Sequence, residues 1–389
     1  MNNAESKTFV QPSETARLIT LFLCGDVMTG RGIDQVLPHH SNPVLYESYV
    51  KDARDYVHLA ERVSGPIPKP VGYSYIWGDA LAVLERMAPD FRIINLETSI
   101  TTSEDYWRDK GINYRMHPKN VPCITAAKTD LCVLANNHVL DWGYAGLIET
   151  LETLKTAGVQ SAGAGRNLEE AGSPGVLEAK EKGRIIVFSF GSPTSGIPLS
   201  WAASTNRPGV NLLNDLSEKT IQSVETRVKE LKRPGDIVIV SVHWGGNWGY
   251  GIPREQVAFA HNLIDRAGID LIHGHSSHHV LGIEVYNSKL VLYGCGDFLN
   301  DYEGIGGHVR FRGDLGLMYF VSLAPLTGKL VHLRMVPTQI RNFKVNLASR
   351  ADTLWLSATL DREGAALGTS TEVSNDNTLT LQWPRSFSP

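Results

Sequence analysis

Residues 236–275 hold three consecutive stretches, "DIVIVSVHW" (236–244), "REQVAFAHNLIDRAG" (254–268) and "IDLIHGH" (269–275), whose reading decides the fold. The first is an apolar run that closes near a histidine, His243, and the third is another that closes on His275. Between them Val257, Ala260, Leu263, Ile264 and Ala267 recur at helical spacing on one face, and Gly268 stops the pattern. Strand, helix and strand in that order make a βαβ unit with parallel strands. Loops at the carboxyl ends of such strands converge on one crevice, so polar residues there are expected to meet.

The same rhythm extends along the chain. "RLITLFLCGD" (17–26) closes on Asp26, "FRIINLE" (91–97) on Glu97, "DLCVLANNH" (130–138) on His138, and "KLVLYGCGDF" (289–298) beside Asp297. Helices are expected over 77–87, 120–128, 145–157 and 217–232, the last stopped by "RPGD" (233–236). This is α/β alternation. Continuous apolar runs such as "VIVSV" (238–242) and "LVLYGC" (290–295) predict a sheet covered on both faces. Beyond residue 345 the pattern reads as one helix ending near Gly368 and one terminal strand, with "SNDN" (374–377) as a turn. The expected organisation is a main domain over 15–344 and an extension over 345–389 packed on it.

With 389 residues, 42% hydrophobic and 20% charged, the chain can bury a large core. The net charge is −4 and the basic residues are scattered, so neither nucleic acid nor an anionic membrane is an expected partner. Cys24, Cys123, Cys132 and Cys295 lie far apart without metal-thiolate spacing, as buried reduced thiols do. The apolar run 18–24 has neither a basic flank nor a small-residue cleavage site before it. The reading expects a cytoplasmic protein with no membrane segment; a homo-oligomer is compatible with it.

The strand ends gather Asp26, Glu97, Asn136, Asn137, His138, His243, the cluster "HGHSSHH" (273–279) and Asp297. Mixed imidazole, carboxylate and amide donors suit Zn, Mn or Fe and suit neither Ca nor a thiolate cluster. A divalent metal, as one ion or two, is the expected cofactor. Two such ions close together polarise an ester or amide and make hydroxide available near neutral pH. Within the cluster His273 and His275 alternate along an extended chain, and His278 returns after two serines turn it. His275 and His278 are the expected ligands, with His273 left in the strand and His279 as a support or surface residue. Asp141 either orients His138 or caps the helix that follows. Asn95 belongs either to the site or to a solvated strand face.

Substrate contacts are expected from long irregular loops on this scaffold, at 105–118 and 191–211. Arg115 could fork onto a carboxylate or phosphate. His117 and Trp244, the latter opening the glycine-rich "WGGNWGYGIP" (244–253), complete the expected substrate contacts.

Six motifs in order, "GDVM" (25–28), "NLETSI" (95–100), "ANNHVLDWG" (135–143), "SVHWG" (241–245), "HGHSSHH" and "YGCGDFLNDYEGI" (293–305), resemble the CapA family of poly-γ-glutamate capsule synthesis. That family is similar to the calcineurin-like metallophosphoesterases, and the resemblance covers roughly 19–324. It implies a four-layer α/β/β/α sandwich with the site at the strand ends. Asp26 would match the first metal-binding aspartate and Glu97 would stand in for the bridging one. Asn137, His243, His275 and His278 would be further ligands, and His138 would protonate the leaving group. The pattern departs twice: Asp26-Val27-Met28 lacks the histidine of Asp-x-His, and glutamate replaces aspartate at 97.

Three functions fit. The first is a metal-dependent hydrolase or transferase acting on a phosphate ester or on a γ-glutamyl or peptide-like amide, so that the partner is a small or peptide-like anionic substrate. The expected catalytic groups of that reading are His138, as the acid, with Asp141 and Asp297; the second function is a metal-independent epimerase using the same acids and histidines, their pKa values pushed apart by burial. The third is a non-catalytic component that holds an anionic polymer.

Overall fold

The computed structural model describes residues 18–108, 110–179 and 182–384. Two sheets form the centre. The larger runs in the order Ser370–Val373, Leu379–Gln382, Leu330–Arg341, Leu315–Leu323, Ile19–Val27, Phe91–Leu96, Leu131–Val133, Gln160–Ala162. The smaller runs Ile283–Tyr286, Lys289–Leu292, Leu271–His275, Ile237–His243, Gly183–Gly191, Gly175–Ala179. Both are mixed: the strands that end at the polar rim are parallel, and antiparallel strands finish both edges of the smaller sheet and one edge of the larger, whose other edge strand, Gln160–Ala162, is parallel to its neighbour.

Alternation along the central strands explains the layers, because successive side chains leave a strand on opposite faces. Leu21 and Leu23 point into an apolar layer shared with Ile185, Val187, Ile237, Ile239 and Leu271 of the other sheet. Phe22 and Cys24 point the other way, against Tyr56, Val83 and Leu147 of the helices Arg54–Ser64, Ala80–Met87 and Gly143–Thr156. Val238, Val240 and Ile272 face Val224, Val228, Phe259 and Leu263 of the helices Glu218–Leu231 and Arg254–Ala267. Three apolar seams separate four layers, α/β/β/α, as expected. The βαβ unit holds in detail: His243 and His275 are register partners on parallel strands.

Several elements differ from expectation. The helix expected over 120–128 is only a turn at Pro118–Asn120 and another at Pro122–Thr125, because each proline opens a new helical start. Asp297 does not end the strand Lys289–Leu292; the chain crosses between sheets first, and Asp297 begins the short strand Asp297–Leu299. The C-terminal segment contains two strands, Ser370–Val373 and Leu379–Gln382, paired as a hairpin about residues 374–378. The second of them pairs with Leu330–Arg341 and so extends the large sheet. Among the described residues no helix is long and apolar enough to cross a membrane.

Candidate functional site

Register brings the acids together. Asp26 lies opposite Asn95 on one parallel neighbour and opposite Asp297 on the other. The second pairing needs glycine: a Cβ on Gly25 would lie 1.7 Å from the carbonyl oxygen of Gly296. "GD" and "GCGD" therefore let two backbones approach closely enough to set two aspartates side by side.

Two groups of donor atoms result, each within 4.8 Å of one another: Asp26 with His243 and His275, and Asp26 with Glu97 and Asp297. Asp26 is common to both. All five side chains are buried. Burial, then the neighbouring Asp297, raises the Asp26 carboxyl to about 7, and burial with both aspartates raises Glu97 well above the carboxylate range. Three carboxylates so close in a low-dielectric site hold protons or need a cation. His278 pairs with only one of the three, Asp297, and Lys110 is engaged outside the set by Asp141. This donor set fits a divalent cation, with a nitrogen-rich side and an all-carboxylate side.

Polar contacts fix the donors. Asn95 Nδ2 donates to Asp26 Oδ1 at 2.6 Å and is itself aligned by Asn136, whose Nδ2 donates to Asn95 Oδ1 at 3.0 Å. Ser241 Oγ lies 2.9 Å from His275 Nε2 and 3.0 Å from His273 Nδ1, while His273 Nε2 donates to the carbonyl of Cys24 at 2.8 Å. His273 is thus a strut between the sheets. Asn137 Oδ1 lies 3.1 Å from His243 Nε2, and His243 Nε2 lies 3.8 Å from Glu97 Oε1. Burial pushes His243 and His275 well down, so both rings are neutral, the form that binds metal.

His138 stands beside this centre, with Nε2 at 3.8 Å from Glu97 Oε1. Its Nδ1 is 2.6 Å from Asp141 Oδ2 and 2.9 Å from Lys110 Nζ, and Lys110 Nζ is 2.5 Å from Asp141 Oδ1. Asp141 therefore orients the imidazole; the helix Gly143–Thr156 has Trp142 as its N-cap and no side-chain cap. Burial, followed by Lys110 and Arg31, holds His138 well below the ordinary histidine value. Burial raises Asp141 to about 7 against the pull of Lys110.

Some expected residues lie elsewhere. His278 is in neither donor group: its Nδ1 is 3.0 Å from both Asp297 oxygens, so it supports that acid. The turn that swings it there passes through Ser276 at φ 106°, whose N–H donates to Asp26 Oδ2 at 3.2 Å. Asp297, expected among the catalytic groups, stands in the donor set itself. Arg115 is buried against Trp142, with its guanidinium carbon 3.8 Å from the ring centroid, and donates to the carbonyls of Ser103 and Asn42 and to Glu104. Its charge is used internally. His117 accepts from the Lys119 N–H as a helix cap, and Trp244 donates to the Tyr293 carbonyl inside the core. None of these three lines the cleft. His279 accepts from the Gly249 N–H and packs against Phe311.

A cleft of about 920 Å³ opens over the centre, with Glu97, Asn137, His138 and His278 lining it beside Arg31, Lys110, Tyr114, Trp248 and Tyr302. Lys110 sits in the loop 105–118 singled out from sequence, but neither composition nor spacing marks it. Arg31 and Tyr302 fall in no pattern a strand-end reading would notice.

The family model for the bacterial capsule synthesis protein PGA_cap matches residues 20–302. The chain belongs to the PGA_cap family. A relative from Mycobacterium tuberculosis, named a probable polyglutamine synthesis accessory protein, is 49% identical over 363 residues, covering 93% of this chain and 95% of the relative. The capsule biosynthesis protein CapA of Bacillus anthracis is 24% identical over 284 residues, covering 73% of this chain and 60% of its own length. The PGA biosynthesis protein CapA of Bacillus subtilis is 29% identical over 236 residues, covering 60% and 58%. The match of PGA_cap ends at 302, so it takes in every donor of the two groups and both tyrosines of the cleft wall.

Proposed function

We propose that this PGA_cap protein is a metal-dependent hydrolase acting on a phosphate ester or on a γ-glutamyl or peptide-like amide, in the service of poly-glutamate or capsule synthesis. The observation that carries the reading is Asp26, a buried carboxylate common to two donor groups, of which Glu97 reaches the cleft. Asp26, Glu97, Asn137, His243, His275 and Asp297 would hold Mn, Fe or Zn, as one ion or two. A cation held there would polarise the scissile group and favour attack by water. The names of the relatives direct the choice of substrate toward glutamyl polymers and their precursors.

His138 supplies the proton. Lys110 Nζ and a protonated Asp141 can each donate to Nδ1, which leaves the ring N–H on Nε2, the atom nearer Glu97. From there it passes to the leaving group as Nδ1 takes a replacement from Asp141 or Lys110. Tyr114 stacks on the imidazole, with centroids 3.8 Å apart, and keeps bulk water from its face. The four cysteines are free and buried, in accord with the reducing cytoplasm this reading assumes.

The test is turnover of an aryl phosphodiester and of a γ-glutamyl anilide by the metal-loaded protein. Hydrolysis of either that Asp26→Asn abolishes supports the proposal. Neither substrate turning over, with metal bound and the protein folded, would favour a polymer-holding role, to which the word "accessory" in the relative's name also points.

A further inference from the structure

Two phenols lie between the histidines that flank the centre, and the hydrolase reading leaves their hydroxyls unused. Tyr114 OH and Tyr302 OH are 2.6 Å apart. Tyr114 lies face to face with His138, at 3.8 Å and 22°, and Tyr302 meets His278 edge on, at 5.4 Å and 80°. Both line the cleft with Glu97 and Asn137. Phenols have unperturbed pKa values of about 10, so the pair carries two O–H protons at neutral pH. The bond between them uses one. Neither hydroxyl has another partner among the described residues, so one O–H remains to be donated.

The pair is firmly held. The Tyr114 N–H donates to Asp141 Oδ2 at 2.6 Å and its carbonyl accepts from Trp142 Nε1 at 3.1 Å. The Tyr302 N–H donates to Asn300 Oδ1 at 3.0 Å, while Asn300 Nδ2 donates to Asp297 Oδ2 at 2.7 Å. Behind them the buried Arg31 guanidinium lies 4.8 Å from the Tyr114 centroid and 5.6 Å from that of Tyr302, and is fixed by Asp301 and Glu47. One tyrosine is thus tied to the proton-carrying side of the site and the other to the metal-binding side. A donor fixed before the substrate arrives costs no reorganisation when charge develops on it.

We infer that Tyr114 and Tyr302 form an oxyanion-binding pair that donates a hydrogen bond to an oxygen of a tetrahedral group held in the cleft beside Glu97. The ligand class is a tetrahedral oxyanion: a phosphoryl group, or the adduct of water with an amide carbonyl. Arg31 is the positioning residue, acting through both rings.

The inference rests on the metal-dependent reading, and inorganic phosphate separates the two. It is titrated calorimetrically into the full chain loaded with Mn²⁺, with bound metal measured on the same samples. The double variant Tyr114→Phe with Tyr302→Phe keeps both rings and is expected to bind metal as the wild type does while its phosphate affinity falls about tenfold or more. Either single variant leaves one phenol free to donate and loses less than half as much on a logarithmic scale. Equal phosphate affinity in the double variant and the wild type would overturn the pair while leaving the metal reading intact. So would a metal-loaded wild type that binds no phosphate. A folded wild type that takes up no metal would overturn the hydrolase reading, and this inference with it.

Discussion

Asp26 and Asp297 are partners on adjacent parallel strands, and the closeness of Gly25 to Gly296 is what permits it. The centre is therefore set by main-chain packing at glycine as much as by the acids themselves. A methyl group on Gly25 would fall 1.7 Å from a carbonyl oxygen, a contact no rotamer relieves. Gly25→Ala is expected to cost about 3 kcal/mol by overpacking and to lower the metal content. Urea denaturation and elemental analysis check both, and an unchanged midpoint would contradict the close approach.

The raised Asp26 carboxyl gives the metal-free protein a pH dependence of definite sign. Its folded value is about 7, above the ordinary unfolded value of about 3.9, so over that window the native state holds a proton that the unfolded chain lacks. The associated stability is full below the unfolded value and is lost as pH rises through the folded one; Glu97, also raised, acts in the same direction. Below about pH 6.5 the buried, neutral His138, His243 and His275 act in the opposite sense, so after chelation the melting temperature is expected to fall from about pH 6.5 to about pH 8, and Asp26→Asn to flatten that slope. A metal-free wild type that gains stability over that range would contradict the assignment.

His138→Asn removes the proton carrier and leaves the donor groups in place. The expected result is a fall in kcat of about 10² to 10⁴, with metal content unchanged. Loss of metal would show instead that His138 is a ligand.

Arg115 separates structure from substrate recognition. Its guanidinium is spent on two carbonyls, Glu104 and the Trp142 ring, so Arg115→Met is expected to destabilise by about 1–3 kcal/mol and to leave KM unaltered. A rise in KM at unchanged stability would return it to the cleft.

The strand ends were legible because parallel strands have one functional edge, and an apolar run stopping at Asp, Glu or His marks that edge directly. Asp26, Glu97, His243 and His275 carry this signature and do converge. His278 and Asp297 are close in space as expected, yet which of them joins the donor set depends on the Ser276 turn and on a crossing between sheets, neither of which has a periodicity to read. Arg115 and Trp244 were misread because a long cationic or aromatic side chain looks the same in sequence whether it faces a cleft or a core. Lys110, Arg31 and the tyrosine pair become functional candidates only through partners hundreds of residues apart in some cases, such as Arg31 with Asp301. The first half of the C-terminal hairpin, "STEV" (370–373), carries no strand signature because three of its four residues are polar, at a sheet edge.

The most direct test of the central claim is elemental analysis of the purified wild type and of Asp26→Ala, before and after chelation. The account predicts about one to two equivalents of Mn, Fe or Zn in the wild type, removable by chelator and restored on re-addition, and essentially none in the variant. A folded wild type with negligible metal, or an Asp26→Ala protein retaining the full complement, would contradict it.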